Sequence, residues 1–509
     1  MQKDFEINRK KKYYRLFEIM PGALTWGAFI FPAILSLFVP KIVASLIIVY
    51  AVYWLYKAFN MSYRLILAYR RYKMSVETNW LESCQRDISE KKLNSLYHLI
   101  ILTTYKEEFE TVDRSIKAVV DSNYSMERVI FVLGIEERDK KNAWIIAKQL
   151  EKKYGNNFYH FMITEHPMGV VGEVKGKGSN MTFAGREALK FIQNKKLSPQ
   201  NVIVTNLDAD NRMHREYLPY LTYKYLTVED PLHKSFQPLP MYFNNIWKVP
   251  IFIRSISVGG SFWQMIESTR PHRMRNFSAH AQSLEALIET DFWSTKSIVE
   301  DGHQFWRSYF AFNGNHKIVP ILVPVYHDAV LSPKGYWATF KEQYIQKRRW
   351  AWGCSDIPYV ITNVIGNNRL PKWEKWIHTL RLIEGHFSWS TTSIILAFIG
   401  WMPRLLNHSF QATVFSYNFP TIYSRILTVS TFCLIITLII STLLLPPNRS
   451  KKMSLSVFLE WIISPIMLPI SNIVYGSIAA IDAQTRLMWG KYLEFKVTEK
   501  APYYDSELK

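Results

Sequence analysis

The stretch Val202-Ile203-Val204-Thr205-Asn206-Leu207-Asp208-Ala209-Asp210 decides the fold. Its first six residues form a short apolar, β-branched run, which is typical of a buried parallel strand and too short for a helix. Two carboxylates follow directly where that strand would end. Because open α/β sheets bind ligands beyond the carboxyl ends of their strands, the stretch predicts an α/β domain with a site at Asp208 and Asp210.

Other stretches between residues 63 and 384 support this prediction. Further strands are expected at 98–104, 128–133 and 158–163, with helices near 107–122, 137–154 and 180–194 between them. This alternation predicts a doubly wound, Rossmann-like sheet. Polar residues again follow the strands: Thr103, Thr104, Tyr105 and Glu107 after the first, and Glu136 and Glu137 after the second.

Long apolar runs flank the α/β segment, at 22–39, 42–59, 386–402, 426–445 and 457–478. Each is close to the roughly 20 residues that a helix needs to cross a bilayer. The positive-inside rule places the N-terminus in the cytosol, because basic residues precede the first run: Lys3, Arg9, Lys10, Lys11, Lys12 and Arg15. We therefore expect a multi-pass protein of the plasma (inner) membrane with a cytosolic α/β domain.

The last apolar run leaves the topology of the C-terminus open. Pro465 and Pro469 interrupt this run, which predicts a broken or re-entrant segment. Five full crossings would leave the C-terminus outside. The basic residues of the tail favour the cytosol, and we expect the tail there: Arg486, Lys491, Lys496 and Lys500.

The net charge of +20 would suggest nucleic acid in a soluble protein. Here the basic residues flank membrane segments, where they face anionic lipid headgroups or an anionic substrate: Arg64, Arg70, Arg71, Lys73, Lys347, Arg348 and Arg349. The expected partners are therefore membrane lipid and an anionic ligand, and no nucleic acid.

These patterns divide the chain into five parts. Residues 1–62 hold an N-terminal tail and two transmembrane helices, and 63–334 the cytosolic α/β domain. Residues 335–384 combine tryptophans with lysines and arginines, which indicates amphipathic helices in the membrane interface or, alternatively, ordinary core tryptophans. Residues 385–482 hold the C-terminal transmembrane helices, and 483–509 the C-terminal tail.

Three elements have a pattern that can carry chemistry. Asp208 and Asp210 would converge on a hard cation, Mg²⁺ or Mn²⁺, if the chain turns there, although such a pair is also common in solvated loops and caps. Asp301, after Glu300, would serve as a general base or as a helix N-cap. Gln346 and Arg349 lie one helical turn apart, and a guanidinium there would stabilise a departing anion or belong to a juxtamembrane basic cluster.

In this order, between membrane helices, the three elements resemble the membrane branch of the family 2 glycosyltransferases, which includes cellulose, hyaluronan, chitin and mannan synthases. The resemblance implies a GT-A type nucleotide-sugar domain inserted between transmembrane helices. It implies that Asp208 and Asp210 bind the metal and the nucleotide diphosphate, and that Asp301 is the catalytic base. Arg349 would support the leaving group, with acceptor and diphosphate contacts from the rest of these elements: Glu300, Gln346 and Trp350.

Two further segments resemble nucleotide-binding elements of that family. Thr103-Thr104-Tyr105 resembles the first-strand loop, with Glu107 close behind it. Lys177-Gly178-Ser179-Asn180 resembles a K-x-G-x-x-N segment, with one residue fewer before the asparagine. Glu136 stands where the family often has an aspartate that holds the base. The donor implied is a UDP- or GDP-linked sugar.

Other conspicuous residues have weaker interpretations. A basic and aromatic stretch lies where the family builds its acceptor wall, and acceptor contact and plain packing are both open for it: Trp263, Arg270, His272, Arg273, Arg275 and His280. His303, His327 and Asp328 lack the spacing of a metal site, so we expect structural roles for them.

The resemblance implies an inverting hexosyltransferase that builds a polysaccharide processively on a growing glycan. One alternative is the transfer of a single sugar to a polyprenyl phosphate or a glycolipid. An alternative of another class is a non-catalytic membrane transporter or receptor with the same fold.

Overall fold

The computed structural model describes residues 7–447 and 451–494. Lys3, Lys496 and Lys500, on which part of the topology prediction rests, lie outside the described residues, as does the end of the tail from residue 495 onward. The predicted α/β segment and all the predicted site residues lie within them.

An eight-stranded sheet forms the centre of the domain, in the order β3-β2-β1-β4-β7-β6-β8-β5. The strands are β1 Tyr97–Thr103, β2 Val129–Glu136, β3 His160–His166, β4 Val202–Asp208, β5 Arg212–Met213, β6 Lys234–Met241, β7 Ala281–Ser283 and β8 Lys317–Tyr326. The four strands expected from the sequence are confirmed as β1 to β4.

Helices cover the sheet and flank the domain. Those before and around the first strands are α1 Tyr14–Phe38, α2 Pro40–Glu77, α3 Trp80–Asp87, α4 Glu90–Ser95, α5 Phe109–Val120, α6 Lys140–Tyr154, α7 Lys177–Asn194 and α8 Tyr217–Thr227. Then follow α9 Ile251–Ser268, α10 Leu284–Glu289, α11 Glu300–Ala311, α12 Tyr336–Ala351, α13 Asp356–Val364, α14 Lys372–Ala397, α15 Met402–Leu406, α16 His408–Gln411, α17 Val414–Leu444, α18 Lys451–Ser471 and α19 Ala479–Met488.

The sheet differs from the predicted doubly wound parallel sheet in its second half. β1 to β4 pair in parallel, but β7 pairs antiparallel with both β4 and β6. The sequence concealed β6 and β8 because each contains two prolines, which normally argue against a strand inside a sheet: Pro238, Pro240, Pro320 and Pro324. The fold class, a mixed α/β domain between apolar helices, is confirmed.

Hydrophobic side chains fill both faces of the sheet. On one face Ile100, Phe131 and Leu207 pack with residues from α5, α6 and α8. On the other face Leu99 and Val204 pack with residues from α7 and α10. Alternate residues of the same strands thus enter opposite cores, which explains why these strands are apolar throughout.

Four helical stretches of the described residues are long and apolar enough to span a membrane: Tyr14–Phe38, Pro40–Glu77, Val414–Leu444 and Pro465–Met488. The predicted run 386–402 is not among them. It falls on α14 and the residues after it, and α14 begins with a charged turn and contains several Ser, Thr and His residues. Pro465 and Pro469 do not break α18, which continues through a π-helical segment, Asn472–Ile478, into α19.

α9 connects the α/β domain to these helices. It packs against α2 and α18, and its Arg254 forms a buried ion pair with Glu460 of α18, with Nε 2.7 Å from the carboxylate oxygen Oε2. The hydroxyl of Ser255 donates to the other oxygen of Glu460 at 2.7 Å. Because both charges are buried, removing either partner would leave an uncompensated charge, so the pair fixes α18 against the domain.

Candidate active site

The ends of β1 and β4 bring the first predicted site residues together. The two strands pair in parallel with Thr103 opposite Asp208, and Gly134 of β2 lies opposite Thr103 on the other side. A parallel register places strand ends at one edge of the sheet. The polar residues that follow these strands therefore share that edge with Asp208.

Lys177, the first residue of α7, occupies the centre of the site. Its Nζ lies 2.7 Å from Oδ1 of Asp208 and 3.7 Å from Oδ2 of Asp301. Burial alone would lower the pKa of Lys177, but the attraction of Asp208, Asp301 and Glu300 outweighs it and raises the pKa above its usual value. The pKa of Asp208 is in turn held below its usual range, because the attraction of Lys177 exceeds the effect of burial.

Asp301 lies in the first turn of α11, next to Lys177. Nδ2 of Asn206 donates a hydrogen bond of 2.8 Å to its Oδ1, and Nδ1 of His280 lies 3.5 Å from the same oxygen. The N-cap of α11 is Val299, so Asp301 is not the cap that its position in the sequence allowed. A carboxylate in a first turn is still stabilised by the helix dipole.

Glu300 differs from its neighbour Asp301 in being almost fully buried. Burial, and then repulsion from Asp301, raise the pKa of Glu300 to about 8. Gly178 allows the close approach of α7, because a Cβ there would lie 2.5 Å from the carbonyl oxygen of Ser294 and 3.1 Å from Cβ of Glu300. The glycine next to Lys177 is thus a packing requirement of the site.

Asp208, Asp210 and His327 form a group that can hold a divalent metal, since their ligand atoms all lie within 4.8 Å of one another. The hydroxyl of Ser278 donates to Oδ2 of Asp208 at 2.6 Å, and the backbone nitrogen of Asp328 donates to Oδ2 of Asp210 at 2.9 Å. Two carboxylates and one imidazole suit Mn²⁺ better than Mg²⁺, which prefers an all-oxygen shell.

His327 is the member of this candidate metal group that the sequence analysis did not predict. We expected a structural role for it, but β8 ends at Tyr326 and delivers His327 beside the Asp208 and Asp210 pair. Nδ1 of His327 lies 2.9 Å from Nδ2 of Asn211, a contact that fixes the ring. Its position directly after a strand could have indicated a role at the site, but the prolines of β8 kept that strand from being predicted.

α12 contributes the third predicted element. Gln346, Lys347 and Trp350 line a small cavity together with Tyr242 and Gly260. The ring of Tyr242 lies 5.6 Å from that of Trp350 and 5.2 Å from that of His327, so the cavity adjoins the metal ligands.

Two basic side chains of α12 complete the electrostatics of this region. The positive charge of Arg349 acts on both Glu300 and Tyr242, which places Arg349 at the same centre. Burial lowers the pKa of Lys347 to about 8, and its Nζ lies 4.3 Å from the centre of the Trp350 ring.

The residues after β1 form a tight loop of their own. Oε2 of Glu107 accepts hydrogen bonds from the Thr104 hydroxyl at 3.0 Å and from the Tyr105 backbone nitrogen at 2.6 Å. The guanidinium of Arg138 lies 4.4 Å from the centre of the Tyr105 ring. Glu107 therefore shapes the loop that presents Thr104 and Tyr105.

Glu136, at the end of β2, lies to one side of the carboxylate centre. Its buried carboxylate pairs with Arg138 at 3.1 Å and contacts Nδ1 of His166 at 3.3 Å. The two nitrogens of His166 link Glu136 to Glu173, which lies 3.0 Å from Nε2. The contacts of Glu136 thus join it to the Tyr105 loop rather than to Asp208.

The basic and aromatic stretch divides into two parts. Its C-terminal end reaches the site, because Ser278 bonds Asp208 and His280 contacts Asp301. Nε1 of Trp293 donates to Nε2 of His280 at 3.2 Å, which holds the imidazole in the core. In the other part, Arg275 contacts His378 of α14, Thr269 accepts a hydrogen bond from Arg64 of α2, and Trp263 is 48% exposed.

No protein-family model matches this chain, and no curated protein sequence matches it. Among solved structures it is similar to the mannosyltransferase PcManGT from Pyrobaculum calidifontis, in complex with GDP-Man and Mn²⁺. The identity is 13%, the alignment covers 88% of this chain and 100% of the other, and the TM-score is 0.47. Staphylococcus aureus TarS 1–349 with UDP-GlcNAc has 12% identity, 79% and 94% coverage and a TM-score of 0.36.

Glucosyl-3-phosphoglycerate synthase from Mycobacterium tuberculosis, in complex with Mn²⁺, UDP and phosphoglyceric acid, has 14% identity to this chain. The alignment covers 55% of this chain and 82% of the synthase, with a TM-score of 0.32.

Proposed function

We propose that the chain is a membrane-embedded, metal-dependent inverting glycosyltransferase, which transfers a sugar from a UDP- or GDP-linked donor to a hydroxyl acceptor. The observation that carries the proposal is the position of Lys177 between Asp208 and Asp301. The ammonium group of Lys177 thereby joins Asp208, a carboxylate of the candidate metal group, to Asp301, the carboxylate proposed as the general base. Such an arrangement places donor and acceptor side by side.

Each residue of the centre has a role in this reaction. Asp208, Asp210 and His327 would hold the metal, which neutralises charge on the diphosphate when bound. Asp301 takes the proton of the acceptor hydroxyl. At the same time the hydroxyl oxygen forms a bond to the anomeric carbon, from the side opposite the diphosphate. The bond between that carbon and the diphosphate oxygen breaks, and Arg349 stabilises the charge of the leaving group.

The donor's nucleotide would lie over the edge formed by Thr103, Thr104 and Tyr105, with Glu107 shaping the loop and Glu136 at its far side. Gln346 and Trp350 would contact the acceptor and the diphosphate from the cavity beside Tyr242. This assignment is supported by two observations: Thr103 lies opposite Asp208 in the sheet, and the ring of Tyr242 lies near those of both Trp350 and His327, at 5.6 and 5.2 Å. The raised pKa of Glu300, caused by burial and then by repulsion from Asp301, favours its protonated form, which would donate a hydrogen bond to the acceptor or the diphosphate.

Asp301→Asn tests the reaction. Loss of a general base costs typically 10²- to 10⁴-fold in rate, so transfer from a labelled nucleotide sugar should fall by about that factor. Nucleotide binding with Mn²⁺ should persist, and Asp291→Asn, on the exposed surface, should behave as wild type. An active Asp301→Asn protein would refute the assignment, as would transfer that is unaffected by EDTA.

We further propose that transfer is repeated to build a polysaccharide, as the resemblance of the Gln346 to Trp350 motif to the processive branch implies. Single transfer to a lipid would instead stop after one sugar. Product length on incubation with labelled donor separates the two, because a polymer gives a broad, long distribution and single transfer gives one species.

The contacts among the apolar helices support a specific membrane topology. Three contacts follow the chain from α14 onward. Glu384 of α14 pairs with Lys57 of α2, and Thr392, further along α14, is hydrogen-bonded to Tyr50. Beyond α14, Asn407 donates to the carbonyl oxygen of Leu37. Along α2 this path covers about 25 Å at 1.5 Å per residue, close to a bilayer's hydrocarbon core. We propose that α1, α2, α14 and α17 cross the membrane, although α14 is less apolar than the others.

The last helix would then remain at the cytosolic face. Asp482 of α19 pairs with Arg348 of α12 at 2.8 Å, and Arg15, which precedes the first crossing, bonds the carbonyls of Leu487 and Met488. With four crossings and an interfacial α18 and α19, the first and last described residues, 7 and 494, would lie on the cytosolic side. Residues 335–384 would lie along the same interface, where Trp337 and Trp373 are exposed.

A further inference from the structure

A cluster of arginines lies where the α/β domain meets the membrane helices. Its members come from three segments, α2, the connection after α9, and α14: Arg64, Arg270, Arg273, Arg275 and Arg381, called here the arginine cluster. Arg64 donates to the hydroxyl of Thr269 at 3.3 Å, and Arg275 contacts Nδ1 of His378 on α14 at 3.1 Å. These contacts bring the three segments together.

The cluster carries more positive charge than its surroundings balance. Glu267 pairs with Arg270, and Glu384 pairs with Lys57 rather than with an arginine. Within residues 7–447 and 451–494, no carboxylate lies within ion-pair distance of the remaining four: Arg64, Arg273, Arg275 and Arg381. Like charges held this close repel one another unless an anion joins them.

Arg275 shows how firmly the unpaired charge is held. Its Nη1 donates to the carbonyl oxygen of Met274 at 2.7 Å, and its guanidinium lies 4.1 Å from the centre of the Phe305 ring. Burial lowers its pKa to about 9. The pKa of His272 is also lowered, first by burial and then by Arg381, Arg273, Arg270 and Arg64, so four of the arginines surround this ring.

The cluster lies next to the apolar helices α2 and α14, and along the chain it is close to a residue of the candidate active site. Lys57 and Glu384 mark the cytosolic ends of the apolar parts of α2 and α14, and side chains rather than close helix packing join these two helices. In the other direction only two residues, Asn276 and Phe277, separate Arg275 from Ser278, which bonds Asp208. The three residue steps from Arg275 to Ser278 span at most about 10 Å.

We propose that the arginine cluster binds the phosphate group of a membrane lipid that enters between α2 and α14, and that a hydroxyl of the same head group, not the phosphate, is the acceptor from which Asp301 takes the proton. This inference rests on the proposed function and names the class of its acceptor. Arginine forks match phosphate oxygens, and the lipid chain would remain among the apolar helices. Transfer to such a lipid is compatible with one addition or with many.

Binding of defined probes to the purified full-length chain in neutral detergent tests the proposal. The variant is Arg273→Gln with Arg381→Gln, and the matched control is Arg70→Gln with Arg71→Gln, two exposed arginines of α2. Calorimetric titrations use farnesyl phosphate, a short-chain phosphatidic acid, farnesol and inorganic phosphate. A separate titration with UDP and GDP in the presence of Mn²⁺ monitors the donor site.

Farnesyl phosphate should bind the wild type and the control with the same affinity. It should bind the variant at least about tenfold more weakly, since each hydrogen bond lost between an arginine and the charged phosphate lowers the affinity by about that factor. Farnesol and inorganic phosphate should bind far more weakly than farnesyl phosphate. Equal binding of phosphatidic acid would assign the site to bulk phospholipid headgroups, and preference for farnesyl phosphate would assign it to the phosphate of an isoprenoid lipid. Both keep the phosphate site.

Unchanged affinity in the variant, or equal affinity for farnesol, would overturn the proposal. So would inorganic phosphate that binds as tightly as farnesyl phosphate. Failure of the proposed function has a different signature, because it would abolish nucleotide binding in every protein and leave the lipid titration unaffected.

Discussion

Nζ of Lys177 lies 2.7 Å from Oδ1 of Asp208. The lysine begins α7 and the aspartate ends β4, so this ion pair joins the start of a helix to the end of a strand. Oδ2 of Asp301 lies 3.7 Å from the same ammonium group. The charge balance of the centre therefore depends on one residue.

Lys177→Met should lower transfer by about 10²- to 10³-fold, the scale seen when one preorganised charge or donor is removed from an active site. The two carboxylates would lose their shared cation, so the apparent melting temperature should also fall. Lys190→Met, on an exposed face of the same helix, is the matched control. Wild-type transfer by Lys177→Met would show that the pair is not part of the site.

His327→Gln should weaken Mn²⁺ binding on the order of 10- to 100-fold or more, the range given for partners of metal ligands. The reason is that the imidazole completes the group formed with Asp208 and Asp210. Electron paramagnetic resonance titration of free Mn²⁺ measures this without relying on activity. His408→Gln, at an exposed position, should leave the affinity unchanged. Equal Mn²⁺ affinity in the two variants would remove His327 from the metal site.

The stability of the wild type should fall as the pH rises toward alkaline values, and the stability of Glu300→Gln should fall less. The pKa of Glu300 is raised from 4.5 to about 8 in the folded protein, so its contribution is complete below pH 4.5 and is lost as pH rises to about 8. The melting temperature of the variant, relative to wild type, should therefore rise between about pH 5 and pH 8.5. Glu127→Gln, on the surface, should show no such trend, and a flat difference for Glu300→Gln would contradict the prediction.

Gly178→Ala should displace the start of α7, because the added Cβ would lie 2.5 Å from the carbonyl oxygen of Ser294. Overpacking of this kind costs about 1–3 kcal/mol, and the shift would move Lys177 away from Asp208. Both melting temperature and transfer should fall. Gly259→Ala in α9, with no atom within 4 Å of the added Cβ, should leave both unchanged. Equal behaviour of the two variants would mean that α7 adapts without loss.

The sequence predicted the parallel half of the sheet correctly because β1 to β4 are short apolar runs with polar residues at their ends. It failed for β6 and β8, since their prolines contradict the usual strand pattern. His327 was missed for the same reason, because its significance comes from the strand before it. A local sequence pattern predicts only local structure. Which strands pair with a proline-containing strand depends on residues elsewhere in the chain.

By itself the sequence determined that an α/β domain lies between apolar helices, and it singled out Asp208, Asp210 and Asp301 as candidate acidic residues of the site. Only the tertiary structure decided which residues meet them: Lys177 between the carboxylates, His327 beside the metal pair, and arginines from three segments at the membrane surface. The physical reason is that spacing along a strand or a helix fixes neighbours within one element. Contacts between residues a hundred positions apart depend instead on how the sheet is ordered and how the helices pack against it.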